Sequence, residues 1–125
     1  MTWATLSVEG VMAFHTGAPN LAKLQQAVGG YVEAARFPLA GSEATMWLNE
    51  EGKLTSEPQR NYKAEYLCPL ACGDWTAGDV VFSGGVGPCG ETLALTPAQI
   101  GELRRINRDV HVLLLGDEHS IALIG

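Results

Sequence analysis

The apolar residues of this chain fall into short segments with two different spacings, and turn-forming residues separate the segments. Apolar and polar residues alternate at 44–48, which is typical of a strand with one buried face. Apolar residues stand three or four positions apart at Leu21, Leu24 and Val28, which indicates an amphipathic helix. Because strands and about three helices follow one another without regular βαβ alternation, we predict an α+β fold with a mainly antiparallel sheet.

The predicted strands share alternation or short apolar runs bounded by glycine, proline or acidic residues. They lie at 2–8 and 11–14, as a pair or one bent strand, and at 31–37, 44–48, 79–82, 92–95, 110–115 and 120–124. We expect turns at 38–41 and 50–53, and in the second turn Gly52 is free to take a positive φ. These strands would form hairpins within the antiparallel sheet.

Three helices are predicted from their start and stop signals. The first begins at Pro19 and ends at Gly29-Gly30, one of which should have a positive φ. The second covers 61–67. The third opens with Thr96-Pro97-Ala98-Gln99, where Thr96 is the N-cap and Gln99 stands three residues later, the spacing of a capping box. It should bury Ile100, Leu103 and Ile106.

Composition limits the classes of function open to a chain of 125 residues, which we expect to form one domain over 1–125. Fourteen acidic against eight basic residues argue against nucleic-acid binding. Charged residues make up 18% of the chain, below the roughly 25% typical of soluble domains, so part of the surface should be available for association. We therefore expect a homo-oligomer or another protein partner.

No segment of the sequence has the features of a membrane span or a secretion signal. Residues 1–8 lack a basic region, and the apolar run at 110–115 is too short to cross a bilayer. We therefore expect a cytoplasmic protein with no membrane partner.

Two segments of the chain resemble a known family. Residues 21–33 are similar to its LQ..VGGYIE block, and residues 49–54 followed by Asn61 are similar to its NEEGKL…N block. Residues 78–81, 90–91 and 95–100 match further blocks in the same order, whereas 68–76 and 83–88 depart from the pattern. The family is domain of unknown function 3846, and the likeness covers about 21–106. It implies a small soluble protein, often encoded by phages and then acting in the host cytoplasm, with no established activity.

The turn after the strand at 44–48 is the candidate binding surface. A turn held by a strand pair can be rigid enough for recognition, carboxylates supply directional acceptors, and an aromatic residue supplies apolar area. The candidate residues are Trp47, Asn49, Glu50, Glu51, Lys53 and Asn61. Trp47 faces away from the core side of its strand, so it is either exposed as an anchor or covered by a second packed layer.

Two alternatives to protein binding use other features of the chain. Residues 85–90 read G-x-G-x-x-G, and a loop at 83–90 could bind a nucleotide or another small ligand, although no helix opens at Gly90 as a dinucleotide site requires. Glu50 and Glu51 could instead serve a carboxylate-dependent hydrolase. No G-x-S-x-G, H-E-x-x-H or Walker motif occurs, so we predict no catalytic residues and a non-catalytic accessory protein.

Three cysteines are too few for a disulfide framework, and we expect them as free thiols. Cys68, Cys72 and Cys89 could join His111 and His119 in a zinc site, but the paired short spacings of zinc ribbons are missing. We therefore predict no metal and no cofactor.

Overall fold

The computed structural model describes residues 1–17, 19–54, 57–68, 76–115 and 118–123. In chain order its elements are β1 (Thr2–Leu6), β2 (Met12–Thr16), α1 (Leu21–Val28), β3 (Val32–Leu39), β4 (Ser42–Asn49), a 3-10 turn (Gly52–Leu54), α2 (Tyr62–Leu67), β5 (Val80–Gly84), α3 (Pro97–Asp109), β6 (Val110–Leu115) and β7 (Glu118–Leu123). Among the described residues, no helix is long and apolar enough to cross a membrane.

Five strands form one antiparallel sheet in the order β2-β1-β5-β4-β3. The sheet consists of two sequence-local hairpins, β1–β2 and β3–β4, with β5 inserted between them. A separate hairpin, β6–β7, lies beside α2 and α3. The predicted α+β class with an antiparallel sheet is therefore confirmed.

Helices cover both faces of the five-stranded sheet. On one face, α2 and α3 pack over the larger core, which includes Leu6, Met46, Phe82 and Leu103. On the other face, α1 packs through Leu24 and Val28 onto a smaller cluster formed by Trp3 and Val81. The alternation predicted at 44–48 is confirmed, since Ala44, Met46 and Leu48 all lie in the larger core.

The capping box at the start of α3 is present as predicted. The Thr96 hydroxyl accepts a hydrogen bond from the Gln99 backbone N–H at 3.1 Å, and the Gln99 side-chain oxygen accepts one from the Thr96 N–H at 2.9 Å. The Gln99 amide also donates to the Ser42 hydroxyl and to the Glu43 carbonyl, each at 3.0 Å. The residue that closes the box therefore also fixes α3 against β4.

Helix α1 ends on a left-handed glycine, as predicted from Gly29-Gly30. Gly29 has φ +83° and donates its N–H to the Gln25 carbonyl at 2.8 Å. At the other end the N-cap is Asn20, whose side chain accepts from the Lys23 N–H at 2.9 Å. Pro19 therefore precedes the N-cap, so the prediction that it occupies the first helical position is wrong.

Both predicted turns are present, but they differ from the prediction in detail. Pro38 lies within β3, which tolerates a proline because β3 is an edge strand, and the turn consists of Ala40 (φ +51°) and Gly41 (φ +83°). Gly52 is not among the residues with positive φ. It lies in the 3-10 turn, where an added Cβ would stand 3.2 Å from the Ala77 carbonyl oxygen, so close approach rather than φ favours glycine.

The strand predicted at 92–95 is not formed. Residue Thr92 makes an isolated bridge to Val86, Leu93 exchanges backbone hydrogen bonds with Gly84 and Gly85, and Leu95 donates to Thr2. Because its hydrogen bonds go to different neighbours, the segment pairs with no single strand over its length.

We predict opposite stability effects for two Gly→Ala substitutions. Gly29→Ala should lower the free energy of unfolding by about 1 kcal/mol, because a Cβ strains a left-handed residue. Gly101→Ala should raise it by up to about 1 kcal/mol, because Gly101 is an exposed position within α3 and no atom stands within 4 Å of an added Cβ. Urea denaturation measures both changes, and a Gly29→Ala variant that is as stable as the wild type or more stable would contradict the assignment of the cap.

Candidate functional site

A pocket of about 460 Å³ opens where the end of α1 meets the turn that follows β4. Four of its lining residues, Gln25, Gly29, Gly30 and Tyr31, come from the first segment that resembles the family. The other three, Asn49, Glu51 and Leu54, come from the second segment. We call these seven residues the cap pocket. Two segments separated in the sequence therefore build one site.

The glycines leave room for the two segments to approach each other. An added Cβ at Gly30 would lie 3.0 Å from the Asn49 amide nitrogen, which is tighter than an ordinary contact. The Gly30 N–H donates to the Gln25 carbonyl at 3.1 Å, as the Gly29 N–H also does. The two glycine N–H groups thus bond within the end of α1, which presents backbone rather than side chains to Asn49.

Asn49 connects the end of α1 to the turn. Its side-chain nitrogen donates to the Val28 carbonyl at 3.2 Å, and its side-chain oxygen accepts from the Glu51 N–H at 2.8 Å. A backbone bond from the Glu50 N–H to the Tyr31 carbonyl, 2.9 Å long, crosses the same junction. The bonds to Val28 and Tyr31 hold the pocket's two walls together, and the bond between Asn49 and Glu51 fixes the turn itself.

The rim of the cap pocket exposes both apolar and acidic groups. Tyr31 is 70% exposed and Leu54 is 81% exposed. The side chains of Glu50 and Glu51 are exposed as well. Within the described part of the chain, neither carboxylate takes part in an ion pair. An incoming group would meet apolar area and free acceptors together.

The structure brings three of the six predicted site residues together at the turn, namely Asn49, Glu50 and Glu51. Lys53 lies in the adjacent 3-10 turn, and its side chain lies outside the described residues. The other two, Trp47 and Asn61, are in different environments.

Trp47 is covered by helix α1 and is not exposed as an anchor. Of the two alternatives that the sequence left open, the structure therefore has the packed layer. It is half-buried and packs against the smaller cluster, to which α1 contributes Leu24 and Val28. Its indole N–H donates to the Ser83 hydroxyl at 2.9 Å. Trp47 is therefore not a free anchor, and the exposed aromatic residue beside the turn is Tyr31.

Asn61 is a buried structural residue and does not join the surface of the turn. It is 1% exposed, and its side-chain oxygen caps α2 by accepting from the Ala64 N–H. Its nitrogen donates to the carbonyls of Leu6 and Gly78, each at 3.0 Å. All of these contacts are internal, so Asn61 is left out of the site.

Sequence reasoning missed the contribution of α1 to the site. Gln25, Tyr31 and Leu54 line the pocket. The sequence marked Gln25 only as part of the polar face of a helix and Tyr31 only as the start of a strand, and Leu54 entered only through the family resemblance. The available signal was that Gly29, Gly30 and Tyr31 and the turn belong to the two segments on which the family resemblance rests.

The backbone N–H groups of the glycine-rich loop at 83–90 bind Glu91, the residue that follows the loop. The Gly87 N–H donates to the Glu91 carbonyl at 2.8 Å, and the Cys89 N–H donates to the Glu91 carboxylate at 2.9 Å. An added Cβ at Gly87 would collide with that carboxylate. Because Glu91 already occupies the turn and α3 begins only at Pro97, the loop lacks the helix N-terminus of a phosphate cradle.

The cysteines that the structure describes are in different environments. Cys68 is buried and Cys89 is exposed. Cys72 and the side chains of His111 and His119 lie outside the described residues. In the part that is described, no three His, Cys, Asp or Glu residues are grouped so that they could hold a metal ion.

Among the charged groups away from the pocket that have shifted pKa values are Lys63 and Glu102. The Lys63 ammonium donates to the carbonyls of Gly10 and Asn107 and to the Asn107 side chain, each at 3.2 Å, and partial burial lowers its pKa. A side-chain hydrogen bond from Arg105 lowers the pKa of Glu102. Lys63 connects α2 to α3, whereas the Glu102–Arg105 pair lies within α3, and neither group lines the cap pocket.

We predict that Asn49 stabilises the junction beneath the pocket. Asn49→Ala should lower the free energy of unfolding by about 1–2 kcal/mol, because both of its hydrogen bonds are lost. Glu50→Ala, a matched exposed neighbour, should change it by less than about 0.5 kcal/mol. Guanidinium denaturation measures both changes, and equal effects would show that Asn49 does not hold the turn.

Comparison with known proteins identifies the family. A family model described as "Domain of unknown function (DUF3846)" matches residues 6–108. The comparison with curated proteins and the comparison with solved structures each gave no match. The matched range runs from the last residue of β1 almost to the end of α3, contains both walls of the cap pocket and extends beyond the 21–106 expected from the sequence. With more than half of its length matched, the chain belongs to the DUF3846 family.

Proposed function

We propose that this protein acts by binding a protein partner at the cap pocket and its rim. The observation that carries the proposal is the combination of exposed Tyr31 and Leu54 with the Glu51 carboxylate, which forms no ion pair within the described residues, on a turn held by Asn49. Apolar anchors contribute most of the affinity in protein interfaces, and polar groups around them contribute specificity. A fixed turn also reduces the entropy lost on binding.

Binding fits the geometry better than carboxylate catalysis. A pair of carboxylates in acid/base chemistry must face the substrate together. Glu51 lines the cap pocket, whereas Glu50 does not, although the two residues are adjacent in the chain. The two carboxylates therefore do not face one substrate position: Glu51 offers a hydrogen-bond acceptor in the pocket and Glu50 offers one beside it.

The proposed setting is that of a phage-type accessory protein in the cytoplasm of a host cell, where the partner is a host protein. This part of the proposal is supported by the family resemblance, which implies small proteins of bacteria and phages. The acidic balance of the chain, with a net charge of −6, favours a partner with a basic surface over nucleic acid.

Affinity capture with matched surface variants tests this function. Tyr31→Ser and Leu54→Ser should each reduce the amount of a captured host protein at least about tenfold if these residues are anchors. Val86→Ser, which changes an exposed apolar residue in the glycine-rich loop, should leave capture unchanged. Quantitative mass spectrometry of the captured material gives the ratios. Equal capture by all four proteins would refute binding at the cap pocket.

A second copy of this chain is a further candidate partner, and the open edge of β3 favours it. The hydrogen bond from the Glu50 N–H to the Tyr31 carbonyl shows that the backbone carbonyl of Tyr31 points toward the β4 side. Along an antiparallel strand, successive residues direct their backbone N–H and carbonyl groups to opposite sides. Val32, Ala34 and Arg36 therefore direct their backbone N–H and carbonyl groups away from β4. Pro38, the next outward residue, has no N–H. An open edge of this kind can pair with the same edge of another copy.

Self-association through β3 has a specific test. The wild type should form dimers between micromolar and millimolar concentration, as measured by light scattering. Ala34→Pro should remain monomeric, because it removes an outward N–H without breaking a bond to β4. Ala34→Val keeps the N–H and should dimerise like the wild type. A monomeric wild type, or a dimeric Ala34→Pro variant with native circular dichroism, would exclude pairing at this edge.

A further inference from the structure

The cap pocket lies at the negative end of a helix. Helix α1 ends at Gly29, and the C-terminal end of a helix carries a partial negative charge. The last turn of α1 contains no basic residue that would offset this charge. The local field at the pocket therefore favours a positive group before any side chain is considered.

The acidic side chain at the pocket carries a negative charge, as the C-terminal end of α1 does. Glu51 lines the pocket with a carboxylate that forms no ion pair within the described residues, and Glu50 is exposed beside it. The other described lining residues are uncharged. A neutral or acidic group entering the pocket would desolvate Glu51 without pairing it, which costs free energy. A cation would pair with it.

The apolar part of the pocket restricts which cation fits. Tyr31 and Leu54 form an exposed apolar rim, and the volume of about 460 Å³ accommodates a long side chain. Lysine and arginine combine an apolar stem with a charged end. The stem would lie against Leu54, the charged end would meet Glu51 and the end of α1, and the Tyr31 ring would add a cation–π contact.

From this combination we infer that the cap pocket receives a lysine or arginine side chain of the partner protein. The inference rests on the proposed function of the same site and names the chemistry of the group that is recognised. The Glu51 charge and the orientation of α1 favour a cation, and the apolar rim favours an apolar stem next to it, so the three observations together favour an amphipathic cation.

The inference can be tested with small probes and without knowledge of the partner. The probes are the N-acetyl N-methylamides of lysine and arginine, with the norleucine and glutamate analogues as neutral and acidic controls. In an NMR titration, a cationic probe should shift the amide signals of Gly29, Gly30 and Tyr31, with an affinity at least about threefold higher than that of norleucine. Glu51→Gln should weaken this binding about threefold, and Glu9→Gln, an exposed carboxylate in the β1–β2 turn, should leave it unchanged.

The outcomes separate this inference from the proposed function. Preference for lysine, arginine or both, together with sensitivity to Glu51→Gln, supports a cation site. Equal binding of norleucine, stronger binding of the glutamate analogue, or no shift with any probe overturns it. In those three cases, loss of capture by Tyr31→Ser and Leu54→Ser would still support protein binding at the cap pocket through its apolar rim.

Discussion

The backbone of β5 connects the two halves of the sheet, and the layers on both faces depend on it. The hairpins β1–β2 and β3–β4 are each local in sequence, and within the sheet β5 joins them by hydrogen bonds to β1 on one side and to β4 on the other. All five of its residues are buried, with Phe82 in the larger core and Val81 beneath α1. A strand buried on both faces cannot alternate apolar with polar residues, which explains its apolar run.

Buried amides connect local caps to distant strands. Asn61 caps α2 and also satisfies the carbonyls of Leu6 and Gly78, and Gln99 closes the capping box of α3 and bonds to β4. An amide side chain has more donors and acceptors than a cap uses, so the remainder can satisfy buried backbone groups. Asn49 follows the same principle between α1 and the turn. These residues fix the positions of elements that apolar packing alone would leave adjustable.

The candidate site arises where one layer ends. Helix α1 covers its face of the sheet and stops at Gly29, close to the point where β4 ends at Asn49. The two ends enclose a pocket, and they place exposed Tyr31 beside the acidic turn. The family match contains both of these segments, so the site lies within the part of the chain that is shared with the DUF3846 family.

The sequence by itself determined the features that depend on neighbouring residues: the α+β class, a glycine cap at Gly29-Gly30, the capping box at Thr96 and the alternation at 44–48. Periodicity and capping involve residues only a few positions apart, so they can be predicted from a short stretch of sequence. Only the tertiary structure decided that β5 is central, that α1 covers Trp47 and that the turn faces Gly29 and Gly30. These outcomes depend on pairing and packing between distant segments, whose free energies no local pattern contains.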